Sequence, residues 1–322
     1  MVNVSIISKC NNNCKYCFQQ DSYHDLNKML SYSDIEDILR WSKGSSRIAY
    51  LGGEPTLHPD IVKILKRTVE EFQTVMFSNL LGPTKLMEQI LTETPQVEWL
   101  VNTTTREELK DLFETNIKLF RKHKKTISTG ITLMMDEEYD DRSIRNMIRL
   151  GREYPDVVNH YRLGLATPFH KNKVELLCYN DPVLKFCRLA KQETPDINIG
   201  FDCPTNMCQV TPKAMGEILE EYNVQSVHMV NHCSPVFDVM VDKSIKYCSS
   251  VPDDFIPVKS YKEFRNWLEC EKFLYNFKNK YMERYGFHCL QEKECRNGVC
   301  CGICFATTEY MRRQKMEQEN NC

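Results

Sequence analysis

Neither sign of charge dominates this chain: 42 Lys and Arg stand against 44 Asp and Glu, for a net charge of −2. No basic block concentrates on any stretch, so the electrostatic footprint of a nucleic-acid binder is missing and no nucleic-acid partner is expected. Long hydrophobic runs are absent too. No stretch of about 18 apolar residues occurs, which argues against a membrane span. The N-terminus, MVNVSIISKC, lacks the cationic segment, apolar run and small-residue cleavage site of an export signal, so a cytoplasmic location is expected. Internal repeats and low-complexity tracts are likewise missing.

What the chain has in excess is cysteine, 16 in 322 residues. A reducing cytosol does not maintain structural disulfides, and a chain of this length is no small secreted scaffold, so metal or cluster ligation is the physical alternative. Cys178, Cys187 and Cys270 stand alone within helical-looking segments and read as buried thiols acting as small hydrophobes.

Short runs rich in Val, Ile and Tyr alternate with amphipathic stretches through the first half, the pattern of βα units on a parallel sheet. Strands are predicted near Val2–Ser8, Arg47–Leu51, Thr74–Ser78, Glu98–Asn102, Thr126–Met134 and Val157–Ala166. Helices are predicted near Ser33–Ser42, Asp60–Phe72, Thr84–Leu91, Arg106–His123 and Glu138–Glu153. Ser33 with Glu36 three residues on reads as a capping box. Six such units are too few for a closed eight-stranded barrel, so the expected fold class is α/β, an open, partial (β/α)6 barrel with its ligand site at the carboxyl ends of the strands. After about Pro168 the alternation is lost and cysteines become frequent. A chain longer than a single core readily supports is therefore divided into a barrel over 1–195 and a small, cysteine-rich α+β domain over 196–322.

Cys10, Cys14 and Cys17 form CxxxCxxC in the loop after the first predicted strand. Cubane clusters normally take four cysteines, so a three-cysteine loop leaves one iron open to a small molecule. A zinc knuckle completed by a distant Cys or His is the alternative use of the same loop, and with it a zinc-stabilised protein without catalysis. Gly52, Gly53, Glu54 and Pro55 follow the second strand, at the same barrel mouth.

Together these two motifs resemble the radical S-adenosylmethionine (SAM) superfamily over about the first 190 residues. The resemblance implies a [4Fe-4S] cluster on Cys10, Cys14 and Cys17, whose open iron is chelated by SAM, and a GGEP backbone that receives the SAM ammonium. Glu54 would fix the segment's shape or the amine. Ser78 and Asn79 at the end of the third strand, and Asn102 at the end of the fourth, stand where family members place polar groups around the methionine and ribose. They are equally readable as polar strand ends capping the next helix. Tyr16 resembles the aromatic residue that precedes the third cysteine near the adenine, and Leu165 and Ala166 would add apolar or backbone contacts to that ring. The implied chemistry is one-electron cleavage of SAM to a 5′-deoxyadenosyl radical that removes hydrogen from an unactivated carbon.

Further on, Cys233 and Cys248 flank VFDVMVDKSIKY, whose alternation suggests a hairpin with a thiol at each end. Cys289, Cys295, Cys300, Cys301 and Cys304 crowd one segment and Cys322 closes the chain. This order resembles the SPASM or twitch-like extension of radical SAM enzymes, which holds auxiliary [4Fe-4S] clusters. The spacings depart from that pattern: five residues separate Cys289 from Cys295 where the family has two, four separate Cys295 from Cys300 where it has five, and Lys243 replaces the hairpin glycine. One or two auxiliary clusters are thus expected. One would take Cys233, Cys248 and Cys304 with Cys203 or Cys208, and the other Cys289, Cys295, Cys300 and Cys322, leaving Cys301 spare. Cys322 is alternatively a free terminal thiol, one of Cys203 and Cys208 a buried or catalytic one, and Asp202 a turn residue or a substrate base. His58, beside Pro59, reads as a helix-start residue.

Many SPASM-like proteins modify ribosomally made peptides by cross-linking, epimerisation or side-chain oxidation, so the resemblance implies an oxidoreductase acting on a peptide. A small-molecule dehydrogenase is the alternative. The first strand begins almost at Met1, so no N-terminal leader-binding domain is expected, and peptide capture would fall to the barrel mouth or a separate leader-binding protein. Flavodoxin or ferredoxin would be the electron donor.

Overall fold

The computed structural model describes residues 1–17, 19, 27–103, 106–166, 178–203, 209–222, 236–248, 250–251, 255, 260–285, 306, 308–310, 312–313 and 316. The six expected strands are present: β1 (Val2–Ile7), β2 (Arg47–Gly52), β3 (Gln73–Ser78), β4 (Glu98–Asn102), β5 (Ile127–Leu133) and β6 (Val158–Leu165). Helices α1 (Tyr32–Trp41), α2 (Ile61–Val69), α3 (Thr84–Glu93), α4 (Lys110–Lys122) and α5 (Glu137–Glu153) connect them after β1 to β5.

The alternation runs further than the sequence pattern shows. Helix α6 (Asn180–Glu193) leads to β7 (Asn198–Phe201), α7 (Pro212–Glu221) follows, and β8 (Phe237–Val239) and β9 (Ile245–Tyr247) precede α8 (Trp267–Tyr285). One sheet carries all nine strands in the order β7-β6-β5-β4-β3-β2-β1-β8-β9. Every pairing is parallel except β8 with β9, which forms the expected hairpin. Strands of three or four residues give too few alternating positions to be read from sequence, which is why β7 and the docking of β8 on β1 go unforeseen. Lys243 turns the hairpin at φ +70°, the left-handed conformation that glycine adopts without steric cost.

Parallel strands bury both faces. On the convex face, Val2, Val4, Ile48, Tyr50, Met76, Trp99, Tyr161 and Leu163 join the helices in one core. The other face is concave. Arg162 on β6 reaches to 5.5 Å from the ring centre of Phe77 on β3, although a flat sheet would keep those strands about 14 Å apart. The sheet is therefore curved.

Local signals were displaced rather than absent. The capping box belongs to Ser31 and Asp34, not Ser33 and Glu36: the Asp34 amide donates to Ser31 Oγ at 3.1 Å and the Ser31 amide to Asp34 Oδ2 at 3.1 Å. Cys187 and Cys270 are buried as expected, whereas Cys178 is exposed, because it precedes α6 instead of lying within it. No helix among the described residues is long and apolar enough to cross a membrane.

Candidate active site at the carboxyl edge of the sheet

Because β1 and β2 are parallel neighbours, the loops leaving their carboxyl ends emerge side by side. The backbone then joins them directly. Gly53 N donates to Ile7 O at 2.7 Å, and Glu54 N donates to Lys9 O at 2.9 Å, one residue short of Cys10. Only glycine fits here. Gly52 has φ +137°, and a Cβ on it would lie 2.3 Å from Ile7 O, while one on Gly53 would lie 2.0 Å from Lys9 O.

Glu54 ties in the third strand. Its buried carboxylate accepts from Thr56 N at 3.1 Å, Thr56 Oγ1 at 2.7 Å, Ser78 Oγ at 2.9 Å and Asn79 N at 2.7 Å. Burial pushes its pKa up against these donors. Pro55 opens the short 3-10 turn Pro55–Leu57 that Glu54 caps. Ser78 is engaged further as the acceptor for Leu80 N at 2.9 Å. Asn79 points the other way: its Nδ2 donates to Asn11 Oδ1 at 3.0 Å and approaches Cys10 Sγ at 3.8 Å.

Cys10, Cys14 and Cys17 are all partly exposed on one loop. Burial, and then the like charge of neighbouring thiolates, pushes the Cys14 thiol up to about 12. Burial also pushes Cys10 up to about 11, with Glu54 and Cys17 adding to the effect. These two thiols, with Cys17 beside them on the loop, are the donor set a cationic iron cluster would deprotonate, since metal binding releases the protons of its ligands. Amide donors are already aimed at the sulfurs: Asn12 N to Cys10 at 3.4 Å and Asn12 Nδ2 to Cys14 at 3.3 Å, interactions of the kind that tune cluster potential. Among the described residues no set of three or more His, Cys, Asp or Glu is gathered around one point for a single metal ion. A cubane does not need one, because each thiolate binds a different iron.

Tyr16, Met134, Tyr139 and Ala166 form a small apolar cluster against Cys14, separate from the main core. Tyr16 and Tyr139 meet edge to face at 6.2 Å. Strand alternation splits the expected pair at the end of β6: Ala166 joins this cluster, whereas Leu165 packs against the main core. An open cleft of about 430 Å³, including the solvent at its mouth, runs beside it between Cys14, Lys15, Thr103, Arg106 and Tyr139. Asn102, at the end of β4, has its Oδ1 beside Gly130 of β5, 3.5 Å from where a Cβ would stand.

Asp140 was not foreseen. Its carboxylate accepts from Met134 N at 2.8 Å and Met135 N at 2.9 Å, holding the β5 turn that supplies Met134, and burial raises it to about 6. An acidic residue just past a helix N-cap was the available signal, masked by the neighbouring Asp136, Glu137 and Glu138. His58 is structural as expected: Asp60 N donates to Nδ1 at 3.1 Å, which leaves Nε2 to donate to Leu30 O at 2.8 Å.

Elsewhere, Cys203 is exposed just after β7, at the carboxyl edge of the sheet, whereas Cys248 follows β9 at φ +72°, opposite Val236 at the amino edge. Cys208, Cys233, Cys289, Cys295, Cys300, Cys301, Cys304 and Cys322 lie outside the described residues.

The sequence model of the radical SAM superfamily matches residues 4–221. This chain is a member of the radical SAM superfamily. Membership implies a [4Fe-4S] cluster and SAM, and it sets aside the zinc-only reading of the cysteine loop. Among curated proteins, an S-adenosylmethionine-dependent nucleotide dehydratase of Selenomonas ruminantium is 36% identical over 90 residues, 27% of this chain and 32% of that protein. A GTP 3',8-cyclase of Clostridium acetobutylicum is 38% identical over 68 residues, 20% of this chain and 21% of that one. The chain thus spans about a third or less of the curated relatives it matches. Streptococcus suis SuiB bound to S-adenosylmethionine superposes with a TM-score of 0.64 at 16% identity, covering 94% of this chain and 71% of SuiB. SuiB bound to its precursor peptide SuiA gives 0.52 at 17% identity over 77% and 58%. At these identities the likeness establishes the fold.

Proposed function

We propose that this radical SAM enzyme binds its [4Fe-4S] cluster through Cys10, Cys14 and Cys17 and modifies a ribosomally made peptide. The observation that carries the cofactor reading is the pair of backbone hydrogen bonds from Gly53 and Glu54 to the start of the cysteine loop, at 2.7 Å and 2.9 Å. They hold the GGEP backbone, which would receive the SAM ammonium, against the thiolates that would hold the iron. When bound, the cluster supplies the electron that splits SAM and so furnishes a 5′-deoxyadenosyl radical for hydrogen abstraction. The protein's part is placement and exclusion of water. Glu54 and Ser78 keep the GGEP turn rigid, Asn79 braces the cysteine loop through Asn11, and Asn102 offers a polar contact from the concave face. Tyr16 and Ala166 present an apolar wall suited to the adenine, with Leu165 contributing backbone only.

The peptide substrate is supported by the likeness to SuiB, a protein solved with a precursor peptide, and by the cysteine order of residues 196–322. We assign that segment as an auxiliary-cluster domain with Cys203 or Cys208, Cys233, Cys248 and Cys304 at one cluster and Cys289, Cys295, Cys300 and Cys322 at another. A flavodoxin or ferredoxin would supply electrons, and the peptide would be captured at the carboxyl edge of the sheet or by a separate leader-binding protein. Anaerobically reconstituted enzyme, reduced and given SAM with peptides encoded beside its gene, is expected to yield a product of altered mass. Oxidation of a small alcohol or sugar in place of any peptide would sink this reading in favour of a small-molecule dehydrogenase. Cys14→Ala is expected to abolish SAM cleavage, and retained turnover would overturn the cluster assignment.

A further inference from the structure

The cysteine loop is fixed from two directions. Its first half is tied to the loops after β2 and β3: Glu54 N donates to Lys9 O at 2.9 Å, Asn11 Nδ2 to Leu81 O at 2.8 Å, and Asn79 Nδ2 to Asn11 Oδ1 at 3.0 Å. Its second half, from Cys14 on, reaches the turn between β5 and α5. Strand β5 stands four places from β1 in the sheet, about 19 Å away if the sheet were flat. Curvature and the length of the loop together close that span.

Lys15, between Cys14 and Cys17, makes the junction. Its Nζ pairs with Asp136 Oδ2 and lies 5.7 Å from the ring centre of Tyr139. Asp136 is the N-cap of α5, and its other oxygen, Oδ1, accepts from Tyr139 N at 3.0 Å. One carboxylate therefore holds both the helix turn that carries Tyr139 and the lysine next to Tyr16. The rings of Tyr16 and Tyr139 meet edge to face at 6.2 Å, and Cys17 N donates to Cys14 O at 3.2 Å, closing the turn between the two thiols. Lys15, Tyr16 and Tyr139 all line the open cleft beside Cys14.

We propose that Lys15 and Asp136 are positioning residues, whose ion pair sets the far half of the cysteine loop against the β5 turn and so fixes the Tyr16 side of the SAM site. This rests on the cofactor reading above. Both side chains are partly exposed, so the pair adds little to the stability of the fold. What it does is choose where a loop from β1 meets a helix that follows β5. A helix N-cap is served as well by Ser or Asn as by Asp, so capping alone does not call for the charge that Lys15 uses.

The test is a double-mutant cycle on anaerobically reconstituted enzyme. Lys15→Met keeps most of the stem and removes the charge, and Asp136→Ser keeps a helix cap and removes the charge. SAM affinity is read by isothermal titration calorimetry, and the reduced cluster by electron paramagnetic resonance with and without SAM. Each single variant is expected to bind SAM about three- to fivefold more weakly, and the double variant no more weakly than either. Iron content and melting temperature are expected to be kept, while the change that SAM induces in the spectrum is altered alike in all three. Unchanged SAM affinity in either single variant, additive losses or an unaltered spectral response would overturn the proposal. So would a loss in Lys15→Met that Asp136→Ser does not share, which would make the lysine a direct SAM ligand, or losses matched by a fall in melting temperature, which would make the pair structural. The two ideas fail separately. A wild-type cluster spectrum that does not respond to SAM sinks the cofactor reading, whereas a responsive wild type with variants indistinguishable from it sinks the positioning pair alone.

Discussion

Glu54 is a buried carboxylate whose two oxygens face only donors from this chain, four of them across two strand ends. Glu54→Gln puts an amide NH2 against one set of those donors, which costs about 2–3 kcal/mol for the hydrogen bonds lost and the donor left unpaired. The expected outcome is a lower melting temperature together with SAM affinity reduced more than about tenfold, by RT ln K for that energy. Asp238 on β8 is a second buried carboxylate, answered by Asn3 Nδ2 at 2.8 Å and facing Lys246. Burial raises it to about 6 from 3.8 in spite of both partners. A folded-state pKa above the unfolded one means that stability is fully present below the unfolded value and is lost as pH rises through the folded one. Asp238→Asn keeps an acceptor for Asn3 and removes that loss. Its advantage over wild type in thermal unfolding is expected to grow from about pH 4 to about pH 7, reaching as much as about 3 kcal/mol. A constant difference across that range would refute the assignment.

The elements that matter most are the loops after β1 and β2, because each is shaped by the other. Gly53 is not a hinge but a point of close approach, with the backbone of Ser8 and Lys9 where a Cβ would stand. Gly53→Ala must part the two loops by more than an ångström or twist the turn. We expect it to keep the sheet, read by an unchanged far-ultraviolet circular dichroism spectrum, and to lose most SAM cleavage. Strands β8 and β9 show a different compromise. Lys243 takes the strained turn position of the missing hairpin glycine while its ammonium pairs with Asp34 of α1 at 2.7 Å, tying the hairpin to the helix beside β1. Partial exposure of both groups keeps that pair worth little energetically, so its contribution is register rather than strength.

At the scale of the whole molecule, one curved sheet gathers the carboxyl ends of its parallel strands on a single edge, and the hairpin leading to Cys248 is built onto β1, next to the strand that feeds the cysteine loop. Because β9 runs antiparallel to β8, Cys248 lies opposite Val236 and level with the amino end of β1, so an auxiliary cluster at Cys248 would lie at the other edge of the sheet from the cysteine loop. Cys248→Ala is expected to lower the iron content of anaerobically prepared protein and to leave abortive SAM cleavage while removing product. Product formed at the wild-type rate would remove that cluster from the reaction.

What the amino-acid order determined alone is the local chemistry. The three thiols and the GGEP turn were legible because their spacing is short, and the six longer strands because burial on a parallel sheet demands apolar runs. Tertiary structure decided everything that depends on which strands are neighbours. The role of Glu54 as a clip, the packing of Ala166 with Tyr16, the partnership of Arg162 with Asp202 across β6 and β7, and the docking of a three-residue β8 on β1 all join residues far apart in the chain. Such contacts follow from strand order and curvature, and neither leaves a periodic mark on a single sequence.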